Sequence, residues 1–307
     1  MAHDAPTNHP SISSLDTDLL VDIASYLEAR DILSLGETCS HFGWGSRGSS
    51  CGPTSSGNNV EVTPPKSLAD ELARRLCTRA EPEELAALPK YDDECWASVY
   101  NQLMIHRGDL AFDRVMGRCE CEFAAGRGGM SIFSRASRVG SCVVTTKGVM
   151  RAGRHFIRVS GTKDKFRPGI LRPSRAAHHS AQFHPFNPSD YTDRLLLEER
   201  TGRWGSGNVH CCMLGLSYGK CHWTDWARGY PFGCVDDWTG SGQVFPAGCE
   251  IGLLLDLVEG AISVYRDGKY VGVLKRGLTG EYCWAFYCWS SIKIYVSRGS
   301  PNVAHVC

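Results

Sequence analysis

No stretch of this 307-residue chain approaches the roughly 18 consecutive apolar residues needed to cross a bilayer as a helix. The opening MAHDAPTNHP has no apolar core of the kind a secretion leader carries, so the expectation is a soluble, unsecreted protein, cytoplasmic or nuclear. Net charge is missing too: lysine plus arginine and aspartate plus glutamate number 33 each, which removes a global field for nucleic acid or an anionic membrane. A phosphate-binding GxxxxGK[ST] loop is absent, and GRGGM from Gly126 follows no strand-to-helix pattern. No nucleophile elbow selects a serine or cysteine from among the many histidines.

Cysteine, by contrast, is plentiful. Fifteen is an odd number, scattered over a long chain, and fits buried free thiols better than a disulfide framework. Cys119 and Cys121, with His210, Cys211, Cys212, Cys221 and His222, are soft ligands, but their spacing is not that of paired zinc ligands. On a strand, Cys211 and Cys212 would point to opposite faces. No metal or cofactor is therefore expected. His155 and His210 fall in strand patterns and read as packing residues, and a cysteine-dependent enzyme is the weakest of the functional readings.

Periodicity divides the chain into four. Over residues 10–43, Leu15, Leu19, Leu20, Ile23, Ala24 and Leu27 recur at three- and four-residue intervals, and Ile32, Leu35 and Cys39 resume the pattern after an interruption. Two or three short helices this small leave apolar surface that calls for a partner or for packing against the rest of the chain. Residues 44–66 are rich in glycine, serine and proline and read as a linker. Residues 67–117 regain helical spacing through Leu68, Leu72 and Leu76, with Ser67 and Asp70 at capping-box separation and a further helix from Trp96 closing near Gly108. This is a helical bridge. Residues 118–300 switch to short apolar or alternating runs punctuated by glycine, proline and aspartate. Asp267-Gly268 is a strong hairpin signal, and two packed antiparallel sheets follow from the lack of crossover helices. The fold class expected is α+β: a small N-terminal helical module and a helical bridge, then an antiparallel β-sandwich.

The first segment resembles the F-box, with Leu15 at the opening, Asp18, Leu19, Leu20, Ile23 and Leu27 on the first face, and Asp31, Leu35, Cys39 and Phe42 at later positions. Asp16 stands where that family has proline, and GWGSRGSS after Phe42 does not continue a third helix. The resemblance implies docking onto the adaptor subunit of a cullin-RING ubiquitin ligase through Leu15, Asp18, Leu19, Ile23, Leu27, Leu35 and Phe42. The last segment resembles the SPRY domain through VMRAGRHFIRV from Val149, GCEIGLLLDL from Gly248, ISVYRDGKYVGV from Ile262 and GLTGEYCWAF from Gly277, over roughly residues 119–297. That implies a sandwich used for protein recognition. The segment 166–194 departs from the pattern, and its prolines predict an extended loop.

Glycine-rich loops around GLSYGKCHWTDWARGYPFGCVDDWTG place aromatics where recognition hot spots sit. Arg203, Trp204, Tyr218, Trp223, Trp226, Arg228, Tyr230 and Trp238 are the candidate target-binding residues, with about half of the tryptophans expected to pack inside instead. Asp256 shows no sequence neighbour arranged for chemistry. The expected function is that of a ligase substrate receptor holding an unknown protein or peptide; a SPRY-type interaction module without ligase association is the alternative.

Overall fold

A computed structural model describes residues 68–117, 120–126, 129–135, 142–174, 185–186, 198–206, 209–226 and 234–300. The F-box-like segment 10–43 and the linker 44–66 lie outside the described residues, as do Arg228 and Tyr230. Two compact units result: a helical one that includes residues 68–85 and 90–104, and a β unit formed by residues 86–89 with those from Ile105 onward.

In the helical unit, α1 (Leu68–Thr78) and the start of α3 (Trp96–Arg107) form where helices were expected, with a short α2 (Pro82–Ala86) between them. The buried face of α1 is Ala69, Leu72, Ala73 and Cys77, rotated from the expected leucine row, and Leu76 is only half-buried. Small alanines let that face approach its neighbours closely, while Glu71, Arg74 and Arg75 link up on the other side. Asp70, expected to cap its own helix, accepts from the Ala97 N–H at 3.1 Å and so satisfies one of the open donors at the start of α3.

Among the described residues, the β unit contains fourteen strands in two seven-stranded sheets, every pairing antiparallel. The first sheet runs β1 (Phe112–Gly117), β4 (Cys142–Thr146), β13 (Cys283–Cys288), β6 (Phe166–Leu171), β7 (Cys211–Gly215), β8 (Lys220–Thr224), β9 (Cys234–Asp236). The second runs β12 (Lys269–Arg276), β11 (Ala261–Arg266), β10 (Ile251–Asp256), β5 (Arg154–Gly161), β14 (Ser291–Arg298), β3 (Gly129–Arg135), β2 (Cys121–Gly126). Val144, Ile170, Leu214 and Phe286 from the first sheet share one core with Ile132, Ile157, Leu253, Ile262 and Ile294 from the second, which makes a sandwich.

The two sheets differ in how they meet water. Strands β5, β12 and β14 of the second sheet alternate buried with more exposed positions along parts of their length, whereas β4, β7 and β13 are buried at every residue. Successive residues of the first sheet point to opposite faces, so Val143, Leu171, Cys211, Met213, Ala285 and Tyr287 form a second apolar layer on its outer side. Phe186, Trp204 and Trp226 cover that layer. Continuous runs such as CCMLG and CWAFYC are the sequence trace of this double burial.

Three expectations need correction. The sandwich begins within the presumed helical bridge, because Phe112–Gly117 pairs with β4 instead of extending the helix. Phe166–Leu171 is an interior strand, although it contains Pro168 and was expected to be loop. Arg172 donates its N–H to His210 on the β7 side; by the two-residue period the Pro168 nitrogen faces the same side, where the β6–β7 ladder starts only at Gly169. The missing donor therefore interrupts no rung. Lys220–Thr224, read as a loop of recognition aromatics, is strand β8.

Candidate interaction surface

The loop 237–245 is laced to the β7–β8 turn by a chain of hydrogen bonds. The Trp238 indole N–H donates to the Gly219 carbonyl at 2.5 Å, Gly242 N–H to Tyr218 and Phe245 N–H to Leu216. Trp238 N–H also donates to the Ser241 hydroxyl at 2.8 Å. Glycine is required at two of these positions: a Cβ on Gly240 would lie 2.4 Å from the Trp238 ring, and Gly219 holds φ +58° with carbonyls within 2.7 Å of where its Cβ would be. Two connections that look flexible in sequence are therefore held as one platform.

Exposed apolar groups stand on and beside that platform. Tyr218 is 74% exposed on the turn, Val235 52% on edge strand β9, and Tyr270 57% on edge strand β12. A groove of about 490 Å³ is lined by Asp236, Asp237, Trp238, Tyr270 and neighbouring residues of β12. Lys275 pairs with Asp236 at 2.5 Å and stands 3.6 Å over the Trp223 ring, joining the two sheet edges. Lys220 bonds to Asp237 and holds that carboxyl below the usual range.

The other expected target-binding residues fall elsewhere. Trp204 and Trp226 are each 2% exposed and pack on the outer side of the first sheet with His210 between them, ring centroids 5.1 Å away from either. Both are corrections: a side chain enclosed in this way offers no surface to a partner. Trp223 is half-buried under Lys275, and Arg203 half-buried in the 3-10 turn Gly202–Trp204, its carbonyl accepting from Glu281 N–H at 3.0 Å. Of the eight residues proposed from sequence, the structure brings Tyr218 and Trp238 together, with Trp223 close below through Lys275.

Sequence reasoning missed Asp236, Tyr270 and Lys275, which lie on strands and line one groove because β9 and β12 end their respective sheets. It also missed Arg172, which is 1% exposed, donates to the carbonyls of Thr279 and Glu281 at 2.6 and 3.0 Å, and lies 4.0 Å over Tyr282. Burial pushes its pKa down to about 10. Asp256 has a cross-strand partner after all: Arg154, opposite it on β5, donates at 2.7 Å, and the N–H groups of Val258 and Glu259 cap the same carboxylate.

The chemistry available to the described residues is limited. A cavity of about 180 Å³ is lined by His106, His155, Arg154, Arg298, Thr146 and Trp284 among others. Both histidines bond through Nε2 to backbone oxygens, of Val149 and Ala152, and burial lowers both, His155 to about 4. The Thr146 hydroxyl is engaged with Gly148 O and Trp284 N–H. Cys211 and Cys249 are pushed up by burial, and Cys212 by its contact with Cys221 and by burial, the reverse of what activates a nucleophile. Cys211 and Cys212 do point to opposite faces, one in each apolar layer.

No family model matches the chain, and no curated protein does. Among solved structures, the SPRY domain of human HERC1 aligns with 61% of this chain and 98% of its own at 14% identity and a TM-score of 0.40. The TRIM65 PSpry domain aligns with 63% and 93% at 14% identity and TM-score 0.37, and the carbohydrate-binding module CBM66 from Bacillus subtilis with 60% and 97% at 8% and 0.34.

Proposed function

We propose that this protein is a recognition subunit without chemistry of its own. Its sandwich, of the SPRY type by the sequence resemblance, holds a target protein or peptide across the Tyr218, Trp238 and Tyr270 surface. Residues 10–43 dock as an F-box onto the adaptor of a cullin-RING ubiquitin ligase. Ubiquitin transfer would then follow from proximity, since a tether raises the effective concentration of target and conjugating enzyme.

The observation that carries the recognition role is the groove between edge strands, lined by exposed Tyr270 and backed by a hydrogen-bonded loop platform. Rigid, partly exposed aromatics cost little entropy to immobilise. The ligase role rests on the F-box resemblance that Leu15, Leu19, Ile23 and Leu27 carry.

Calorimetry with purified adaptor tests that role. Saturable binding by the full chain, lost in a folded Leu19→Asp variant, is the expected result. No binding by the folded wild type removes the ligase and leaves a stand-alone interaction module.

A further inference from the structure

Cys121 and Cys142 bring their sulfurs to 3.6 Å across the sandwich. Cys121 begins edge strand β2 of the second sheet, while Cys142 begins β4 of the first, opposite Gly117 of β1 and Cys288 of β13. Ser134, the register partner of Cys121, also reaches Cys142, at 4.0 Å. Cys142 is fully buried, whereas Cys121 is half-buried on the edge strand.

We propose that Cys121 and Cys142 form a reversible disulfide that staples the two sheets together. A disulfide bond of about 2.05 Å requires the sulfurs to close by roughly 1.5 Å. Edge strand β2 has a hydrogen-bonded neighbour on one side only, which makes that movement cheap.

The chemistry needs an oxidant, and a small disulfide such as oxidised glutathione suffices. The Cys121 thiolate attacks one glutathione sulfur, the glutathione S–S bond breaks, and one glutathione leaves as thiolate. The Cys142 thiolate then attacks the Cys121 sulfur and displaces the second. Two protein thiols are oxidised, one glutathione disulfide is reduced to two thiols, and the two protons pass to solvent or to the departing thiolates. The neighbouring sulfur and burial both raise Cys121 above the ordinary thiol range, so exchange is slow at neutral pH and accelerates about tenfold per pH unit.

The second close pair supplies an internal contrast. Cys212 and Cys221 lie 3.7 Å apart on β7 and β8 of one sheet, but Cys212 is opposite Trp223 and Cys221 opposite Leu214. Diagonal neighbours of this kind have backbones about 7–8 Å apart, at or beyond the span of a disulfide, and both thiols are fully buried. This pair stays reduced.

The full chain is incubated with oxidised glutathione at pH 8, alkylated, digested with trypsin without reduction and examined by mass spectrometry. A linked pair of peptides, residues 119–127 and 139–147, is expected, reversed by dithiothreitol and retained in Cys119→Ser, which removes the other cysteine of the first peptide. The melting temperature rises by about 5–10 °C on oxidation, and that rise is lost in Cys121→Ser. A persistent glutathione adduct on Cys121, an unmodified Cys121, or a linkage that disappears in Cys119→Ser would each overturn the proposal.

Discussion

Trp226 and Tyr218 sit eight positions apart in a stretch whose composition gives no reason to treat them differently, and the structure gives them opposite fates. Trp226 adopts φ +53°, donates its indole N–H to Pro185 O at 3.1 Å and is enclosed, while Tyr218 is 74% exposed. Trp226→Ala should therefore cost about 3–5 kcal/mol of stability, and Tyr218→Ala less than about 0.5 kcal/mol. Urea midpoints of the two variants check this directly; equal shifts would contradict the placement of both rings. Only Tyr218 should weaken target binding. Sequence alone could name the aromatic set but not sort it, because turn and strand residues carry the same local composition here.

Among the elements, the hairpin joining β11 to β12 was the most legible. Asp267 and Gly268 take φ +51° and +78°, the paired left-handed residues of a type I′ turn, and Asp267 also accepts from Glu250 N–H at 3.0 Å. Gly268→Ala should destabilise by about 1–2 kcal/mol, since a Cβ is strained at that φ, and denaturant unfolding measures it. Strand β6 was illegible for the opposite reason. Pro168 argues locally against an interior strand, and only the late start of the β6–β7 ladder removes the objection. Likewise β8 and β9, at five and three residues, are too short and too polar to announce themselves, yet β9 carries Asp236 to the groove.

At the scale of the molecule, the β unit buries several rings in neutral form. Burial lowers His155, His210 and His222 to about 4, from an ordinary value of 6.5. Above pH 6.5 neither state binds these protons and the groups contribute no pH dependence. As pH falls from 6.5 toward 4 the unfolded chain takes up protons that the folded chain refuses, so stability is lost across that window and levels off below it. The loss is at most roughly 3 kcal/mol for a ring as enclosed as His210. Glu71 in the helical unit acts lower: the Arg74 guanidinium holds it at about 2, and its contribution is present above 4.5 and lost as pH falls toward 2. Melting curves at half-unit pH steps should fall first through the histidine window; a flat response between pH 6.5 and 4.5 would contradict the buried, neutral assignment.

The sequence by itself determined the change from helical to two-residue periodicity, the tight hairpin and the preference for antiparallel sheets. All of these are local: a period, a turn residue or a β-branched run acts within about ten residues of itself. Tertiary structure alone decided which tryptophans are covered, which strands end the sheets, and which side chains meet across them. Lys275 reaches Asp236 and Trp223, and Cys121 reaches Cys142, through pairings between strands distant in the chain. Those meetings depend on strand order and on where each ladder starts and stops, and neither quantity is written in any short stretch of residues.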